Sequence, residues 1–300
     1  MNSRNCAREG SPLEASTALQ CLSRWTSVCP ICDKQDWEHT QKVRNVSISK
    51  CVHCGLLETT DFLKGISTFQ GIYDTPPEHH SEYREYYLSN RLALYRRVMP
   101  KLDRFRMKGF LLEVGCSYGY FLETARSAGW EAEGVEISNN ACIVARSKGF
   151  KVFQEGLREV PLNPGSCDVI AMWDVIEHLT DVAEIVECCA ALLRPGGALI
   201  ARTPDARALQ HAKGLFRAAY RHLAYPANTA EHVFHFTPET LSLLMAKKGL
   251  REVEIDAGGG WEERVISGRN PLVRLGRDLV LRYAYVKGWP YEFVITAVKR

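Results

Sequence analysis

No stretch of this 300-residue chain approaches the roughly eighteen consecutive apolar residues that a membrane-crossing helix needs. The opening segment, Met1-Asn2-Ser3-Arg4-Asn5-Cys6-Ala7-Arg8-Glu9-Gly10, lacks the apolar centre of a secretory signal. These two absences lead us to expect a cytoplasmic protein with a poorly ordered tail over 1–24. A marked excess of charge of one sign is also missing. Lys and Arg number 38 against 35 Asp and Glu, and a formal charge of +3 makes no case for nucleic acid by itself. There is no internal repeat and no low-complexity segment. What is present is an ordinary globular composition, 46% hydrophobic and 24% charged. The length suffices for one large α/β core plus an accessory module.

Cysteine is plentiful, at 11 residues, but its placement does not read as a disulfide framework. Four cysteines form two pairs, Cys29-Pro30-Ile31-Cys32 and Cys51-Val52-His53-Cys54. Each C-x-x-C knuckle aims two thiolates at one point, and two knuckles complete a tetrahedron around zinc. Four thiolates leave no open position, so Cys29, Cys32, Cys51 and Cys54 are expected to hold a structural ion. A module over 25–60 has too little core to fold unaided, and metal would supply the missing stability. A connector and a cap helix are expected over 61–108. Its tyrosines, among them Tyr73, Tyr83, Tyr86 and Tyr87, pack in the core or line a cleft.

The most informative run is Phe110-Leu111-Leu112-Glu113-Val114-Gly115-Cys116-Ser117-Tyr118-Gly119-Tyr120-Phe121. A short apolar strand ends near Glu113, and two glycines four residues apart lead into a helix. Glycine allows a sharp turn, and the helix start offers unpaired N–H groups. About twenty residues on, Gly134-Val135-Glu136-Ile137-Ser138 ends a second strand with an acid. That is where an α/β cofactor site places a carboxylate for ribose. The spacing E-x-G-x-x-x-G departs from the pyrophosphate-binding fingerprint and suits a cofactor with a sugar and a cationic amino-acid tail. Strands and helices alternate onward. Strands are expected at 110–114, 130–135, 151–154, 169–173 and 198–201, with helices at 119–128, 139–148 and 181–193. Later strands follow at 251–255 and 291–298.

These residues resemble the class I S-adenosylmethionine-dependent methyltransferases. Glu113 to Phe121 looks like the first motif of that family and Val135-Glu136-Ile137 like the second. Cys167-Asp168-Val169-Ile170-Ala171-Met172-Trp173-Asp174-Val175-Ile176-Glu177-His178-Leu179 resembles the fourth strand and its tip. Arg194-Pro195-Gly196-Gly197 resembles the turn before the fifth strand. The resemblance implies a Rossmann-like, mostly parallel seven-stranded sheet over 109–300, its last strand antiparallel. It also implies S-adenosylmethionine held by Glu113, Gly115, Cys116, Gly119, Tyr120, Glu136 and Ile137, with Glu155 and Gly156 beside the adenine. Trp173 and Asp174 would face the same cleft.

The order of zinc module, methyltransferase core and Glu231-His232 before a helix start resembles bacterial sugar C-methyltransferases, although their C-terminal domain is absent from this chain. The resemblance implicates Glu231 and His232 in acceptor binding and base chemistry, with His235 as a further candidate and His178 as a rival. In an ordinary environment such a base would titrate near pH 6–7. The expected partner is a small-molecule acceptor rather than nucleic acid. RNA methylation through the zinc module, and a cofactor-binding interaction protein without catalysis, are the alternative classes. Insertions at 205–230 and 257–290 carry basic amphipathic patterns. These either touch a membrane or a phosphate-bearing substrate, or lay an apolar face on the core with their charges in water.

Overall fold

A computed structural model describes residues 28–43, 46–60, 81–224, 232–257 and 271–300. For 81–90 and for 252, 253, 271 and 274 it describes the backbone alone. The expected tail over 1–24, the connector at 61–80 with Tyr73, and Glu231 lie outside the described residues, as do the side chains of Tyr83, Tyr86 and Tyr87.

The chain begins with strands β1 (Trp37–Val43), β2 (Val46–Cys51) and β3 (Leu57–Thr59), followed by helix α1 (Ser81–Leu102). Then come β4 (Phe110–Val114), α2 (Tyr120–Ser127), β5 (Glu131–Val135), α3 (Asn139–Ser147), β6 (Val152–Phe153), β7 (Cys167–Trp173) and α4 (Val182–Leu192). Strand β8 (Leu193–Pro204) leads to the short helices α5 (Arg207–His211) and α6 (Gly214–Ala219). The chain closes with β9 (Phe234–His235), α7 (Pro238–Lys247), β10 (Leu250–Ala257), α8 (Pro271–Val286) and β11 (Glu292–Lys299).

Seven strands form one sheet in the order β10-β11-β8-β7-β4-β5-β6. The pairs from β8 to β6 are parallel, and β11 runs antiparallel to both of its neighbours. The expected mostly parallel sheet with an antiparallel last strand is what forms. Alternation along the strands gives each face its own core, as the twofold pleat requires. Leu112, Val114, Ile170, Met172, Leu199 and Ala201 face one side with α4 and α7. Leu111, Val169, Ala171, Trp173 and Ile200 face α1 and α2 on the other. Asp168 is fully buried at the start of β7 and accepts the N–H groups of Met107, Lys108 and Gly109, which fixes the entry to β4. Its other oxygen takes Arg194 Nε. Leu193, expected to end a helix, and residues 194–197, expected as a turn, extend β8 instead, with a register shift between Cys167 and Val169 of β7.

A second sheet, β1-β2-β3-β9, joins the N-terminal strands to a strand from beyond β8. Leu57 pairs with His235 and Glu58 with Phe234. One side of this cysteine-bearing module enters the main core, where Cys29, Ile31, Cys51 and Leu56 pack with Val233, Phe234 and Phe236. The other side packs Val43, Ile48 and Leu57 against α5, Tyr220 and the buried face of α8. The N-terminal module therefore packs directly on the half of the chain that carries the seven-stranded sheet.

Candidate active site and cysteine cluster

The turn after β4 is shaped by backbone that only glycine adopts easily. Gly115 has φ 71° and Gly119, which precedes α2, has φ 77°. A Cβ on Gly115 would lie 2.5 Å from Val175 Cγ2, so the loop after β7 sits directly against this turn. Ser117, between the glycines, also holds a positive φ of 47°. Glu136 is buried at the end of β5 and accepts the N–H of Ser117 at 2.9 Å and of Ser138 at 2.8 Å. Each carboxylate oxygen thus spends one lone pair on the backbone and keeps another for a hydroxyl. Burial raises the Glu136 pKa, while those N–H bonds work the other way.

Glu113 is fully buried, and its Oε2 has no hydrogen-bond partner. Burial, with the Glu136 charge nearby, pushes its carboxyl well above the usual carboxylate range. Two buried acids with spare acceptor capacity fit a cofactor that brings hydroxyl groups and positive charge. Cys116 packs its buried thiol under Gly134, where a Cβ would lie 2.4 Å from the sulfur. Tyr120 lies partly buried at the start of α2, and Lys148 Nζ sits 4.0 Å from its ring. Ile137 is 71% exposed beside Glu136, and Glu155 and Gly156 are exposed after β6.

Trp173 is buried at the tip of β7, its ring 5.2 Å from Tyr95 of α1 and 4.9 Å from Phe121 of α2. Asp174, with φ 55°, pairs with Arg91 of α1 and with Arg202 at 2.8 Å, and Arg202 also pairs with Glu292. Its carboxylate therefore ties the strand tip to α1 and β8.

Glu177 and His178 follow in a single helical turn, Ile176–His178. The chain after α6 returns here, because Val233 N donates to Glu177 O at 2.8 Å. The ring of His232 comes within 4.8 Å of His178 and 6.0 Å of His235. A carboxylate oxygen of Glu177 and ring nitrogens of His178 and His232 all lie within 4.8 Å of one another. His232 is 2% exposed, and its Nδ1 has no partner. Both oxygens of buried Glu177 are likewise without one. Burial drives the His232 pKa well below its usual value, helped by the two neighbouring histidines. The same burial, with His178, lowers His235 to about 3. The Glu177 carboxyl is pushed up, first by burial and then by the charge of Asp174. The environment of His232 is thus not ordinary, and the expected titration near pH 6–7 moves lower. Sequence reasoning brought the two histidines forward but missed Glu177. Its only signal was its place beside His178 in the strand-tip motif, which says nothing of burial.

His235 Nε2 lies 2.8 Å from the Thr59 hydroxyl of β3, and Thr59 N donates to Val233 O at 2.9 Å. The cysteine-bearing module thus holds the histidine segment from behind. Its four sulfurs lie within 4.8 Å of one another, with Cys29 Sγ 3.4 Å from Cys54 Sγ and Cys32 Sγ 3.5 Å from Cys51 Sγ. None of the four is in a disulfide. In a tetrahedron of sulfurs bound at 2.3 Å the edges are about 3.8 Å, so the donor set and its spacing fit zinc.

A glycine turn, an acid at the end of each of the first two parallel strands and an open sheet define a nucleoside-cofactor enzyme of the α/β class. Residues 81–255, more than half of the chain, match the methyltransferase domain family, and the chain belongs to that family. Over 152 residues it is 27% identical to a ubiquinone biosynthesis O-methyltransferase of Burkholderia pseudomallei, covering 48% of this chain and 66% of that protein. The chain therefore spans just under two thirds of that relative. Its fold is similar to a methyltransferase of Archaeoglobus fulgidus (TM-score 0.52, 19% identity, 72% of this chain and 99% of the other). It is also similar to the geranyl diphosphate C-methyltransferase of Streptomyces coelicolor A3(2), solved with S-adenosyl-L-homocysteine (TM-score 0.54, 17% identity, 70% and 81%).

Proposed function

We propose that the protein transfers the methyl group of S-adenosylmethionine to a small-molecule acceptor, a sugar or another biosynthetic metabolite, and releases S-adenosylhomocysteine. The observation that carries this reading is the cluster that His232 of the returning segment forms with Glu177 and His178, which follow Val175 on the loop lying against the Gly115 turn. Glu113 and the turn from Gly115 to Gly119 hold the methionine end, and Glu136 takes the ribose hydroxyls. The acceptor enters on the histidine side. As its nucleophilic atom bonds the methyl carbon, the carbon–sulfur bond breaks and its electron pair stays on sulfur. His232, kept neutral by burial, accepts the proton. A small-molecule acceptor is also what the O-methyltransferase relative suggests.

Cys29, Cys32, Cys51 and Cys54 hold zinc in a structural role. The ion keeps β3 in place, and through Thr59 it keeps His235 in place.

With an acceptor in hand, His232→Ala lowers turnover by a factor of about 10²–10⁴, while affinity for S-adenosylmethionine changes little. Activity stays flat through pH 6.5 and falls only at lower pH, because the depressed pKa of His232 keeps the imidazole neutral there. Wild-type turnover in His232→Ala beside a dead His178→Ala would assign the base to His178.

A further inference from the structure

Helix α8 is apolar on two faces, one buried and the other largely exposed. Val280, Leu281 and Ala284 are buried against the N-terminal sheet and the insertion after β8. Leu272, Leu275, Leu279, Tyr283 and Val286 are exposed, at 77%, 57%, 60%, 48% and 81%. At 3.6 residues per turn these five fall within an arc of about 80°, on a helix about 24 Å long. The arc faces away from the buried side. Exposed Arg282 and Lys287 lie on its two borders, and Lys287 Nζ sits 5.6 Å from the Tyr283 ring.

The surface continues onto the neighbouring helix α6. Phe216 packs against Tyr283 with ring centroids 4.5 Å apart and planes tilted by 54°, and the adjacent Leu215 is 88% exposed. Lys213 and Arg217 are exposed on the same segment. Between Lys213 and Arg221 the sequence has three basic residues and no acid, and between Arg274 and Lys287 four basic residues and the single acid Asp278. A continuous exposed apolar stripe is costly in water and marks a binding surface.

We propose that α8 and α6 form a docking surface for an anionic phospholipid bilayer, with the apolar stripe among the acyl chains and the basic borders at the headgroups. The charge selects this occupant. A second copy of the chain would bring the same positive segment face to face with itself, whereas anionic lipid complements it. Among the described residues no helix is long and apolar enough to cross a membrane, so the contact lies along the surface.

The test is flotation of the full-length protein with vesicles of phosphatidylglycerol and phosphatidylcholine, against vesicles of phosphatidylcholine alone. The expected result is co-flotation with the anionic vesicles, weakened by salt. Leu275→Glu/Leu279→Glu abolishes it, and Arg282→Glu/Lys287→Glu lowers it at least tenfold. All these positions are exposed, and an unchanged melting temperature and cofactor affinity separate lost docking from lost folding. Absence of flotation with the anionic vesicles would overturn the proposal. So would equal binding to neutral vesicles, or a dimer in light scattering that dissociates on Leu275→Glu/Leu279→Glu.

Discussion

In the proposed function Glu136 combines two roles: the carboxylate that closes the turns at Ser117 and Ser138 is also the one assigned to the ribose hydroxyls. Replacing it with alanine removes charge-assisted acceptors worth roughly 2–3 kcal/mol. Calorimetry should then find S-adenosylmethionine bound some 30- to 150-fold more weakly, and unchanged affinity would remove Glu136 from the site. Glu58 is informative for a different reason. It is buried in β3, and burial raises its pKa to about 7. An unfolded glutamate titrates near 4.3. Between those values the folded state holds the proton and the unfolded state does not, so stability falls as pH rises through 7. Glu58→Gln abolishes this dependence. Its denaturation midpoint relative to the unsubstituted protein should climb from pH 5 to pH 8, and a constant difference would contradict the assignment. His235 acts in the opposite sense. Its folded pKa of about 3 lies below the unfolded value, so its contribution is complete above about pH 6.5 and is lost as pH falls toward 3.

Among the elements, the short pair β3–β9 matters most, because it links the cysteine cluster to the histidine segment. Removing a thiolate by Cys29→Ser or Cys54→Ser should release zinc and loosen β3. Thr59 then loses its place against His235. Metal analysis should find one zinc per chain before substitution and none after. Turnover should drop, whereas affinity for S-adenosylmethionine should hold, since Glu113 sits on β4 and Glu136 directly follows β5. Protein prepared without chelators that carries no zinc would contradict this. The βα elements were legible in sequence because each has a strong local signature: apolar strand runs, the glycines at 115 and 119, and the cap Thr237 before Pro238. The two-residue strand β9 has no such signature. It forms only because β3 offers an open edge, which is a tertiary circumstance.

In the whole molecule, the N-terminal module, the insertion after β8 and α8 pack as one body against the antiparallel half of the sheet. The sequence separated these parts because their contacts join residues far apart, such as Gln210 Nε2 donating to Gly55 O at 2.8 Å and Lys247 paired with Asp33 at 2.6 Å. The cofactor side was readable from motif spacing. The acceptor side was readable only as loose histidines, because Glu177, His178 and His232 meet through a chain return that no local pattern encodes. This arrangement leads to one central claim: methyl transfer to a small molecule across the cleft between Glu136 and His232. The most direct measurement incubates the protein with S-adenosylmethionine bearing a deuterated methyl group and a metabolite extract, followed by mass spectrometry. The account predicts a small molecule that gains one deuterated methyl group with the unsubstituted protein and does not gain it with Glu136→Ala or His232→Ala. Label found only in RNA or protein, or a labelled product that both variants form at the full rate, would contradict it.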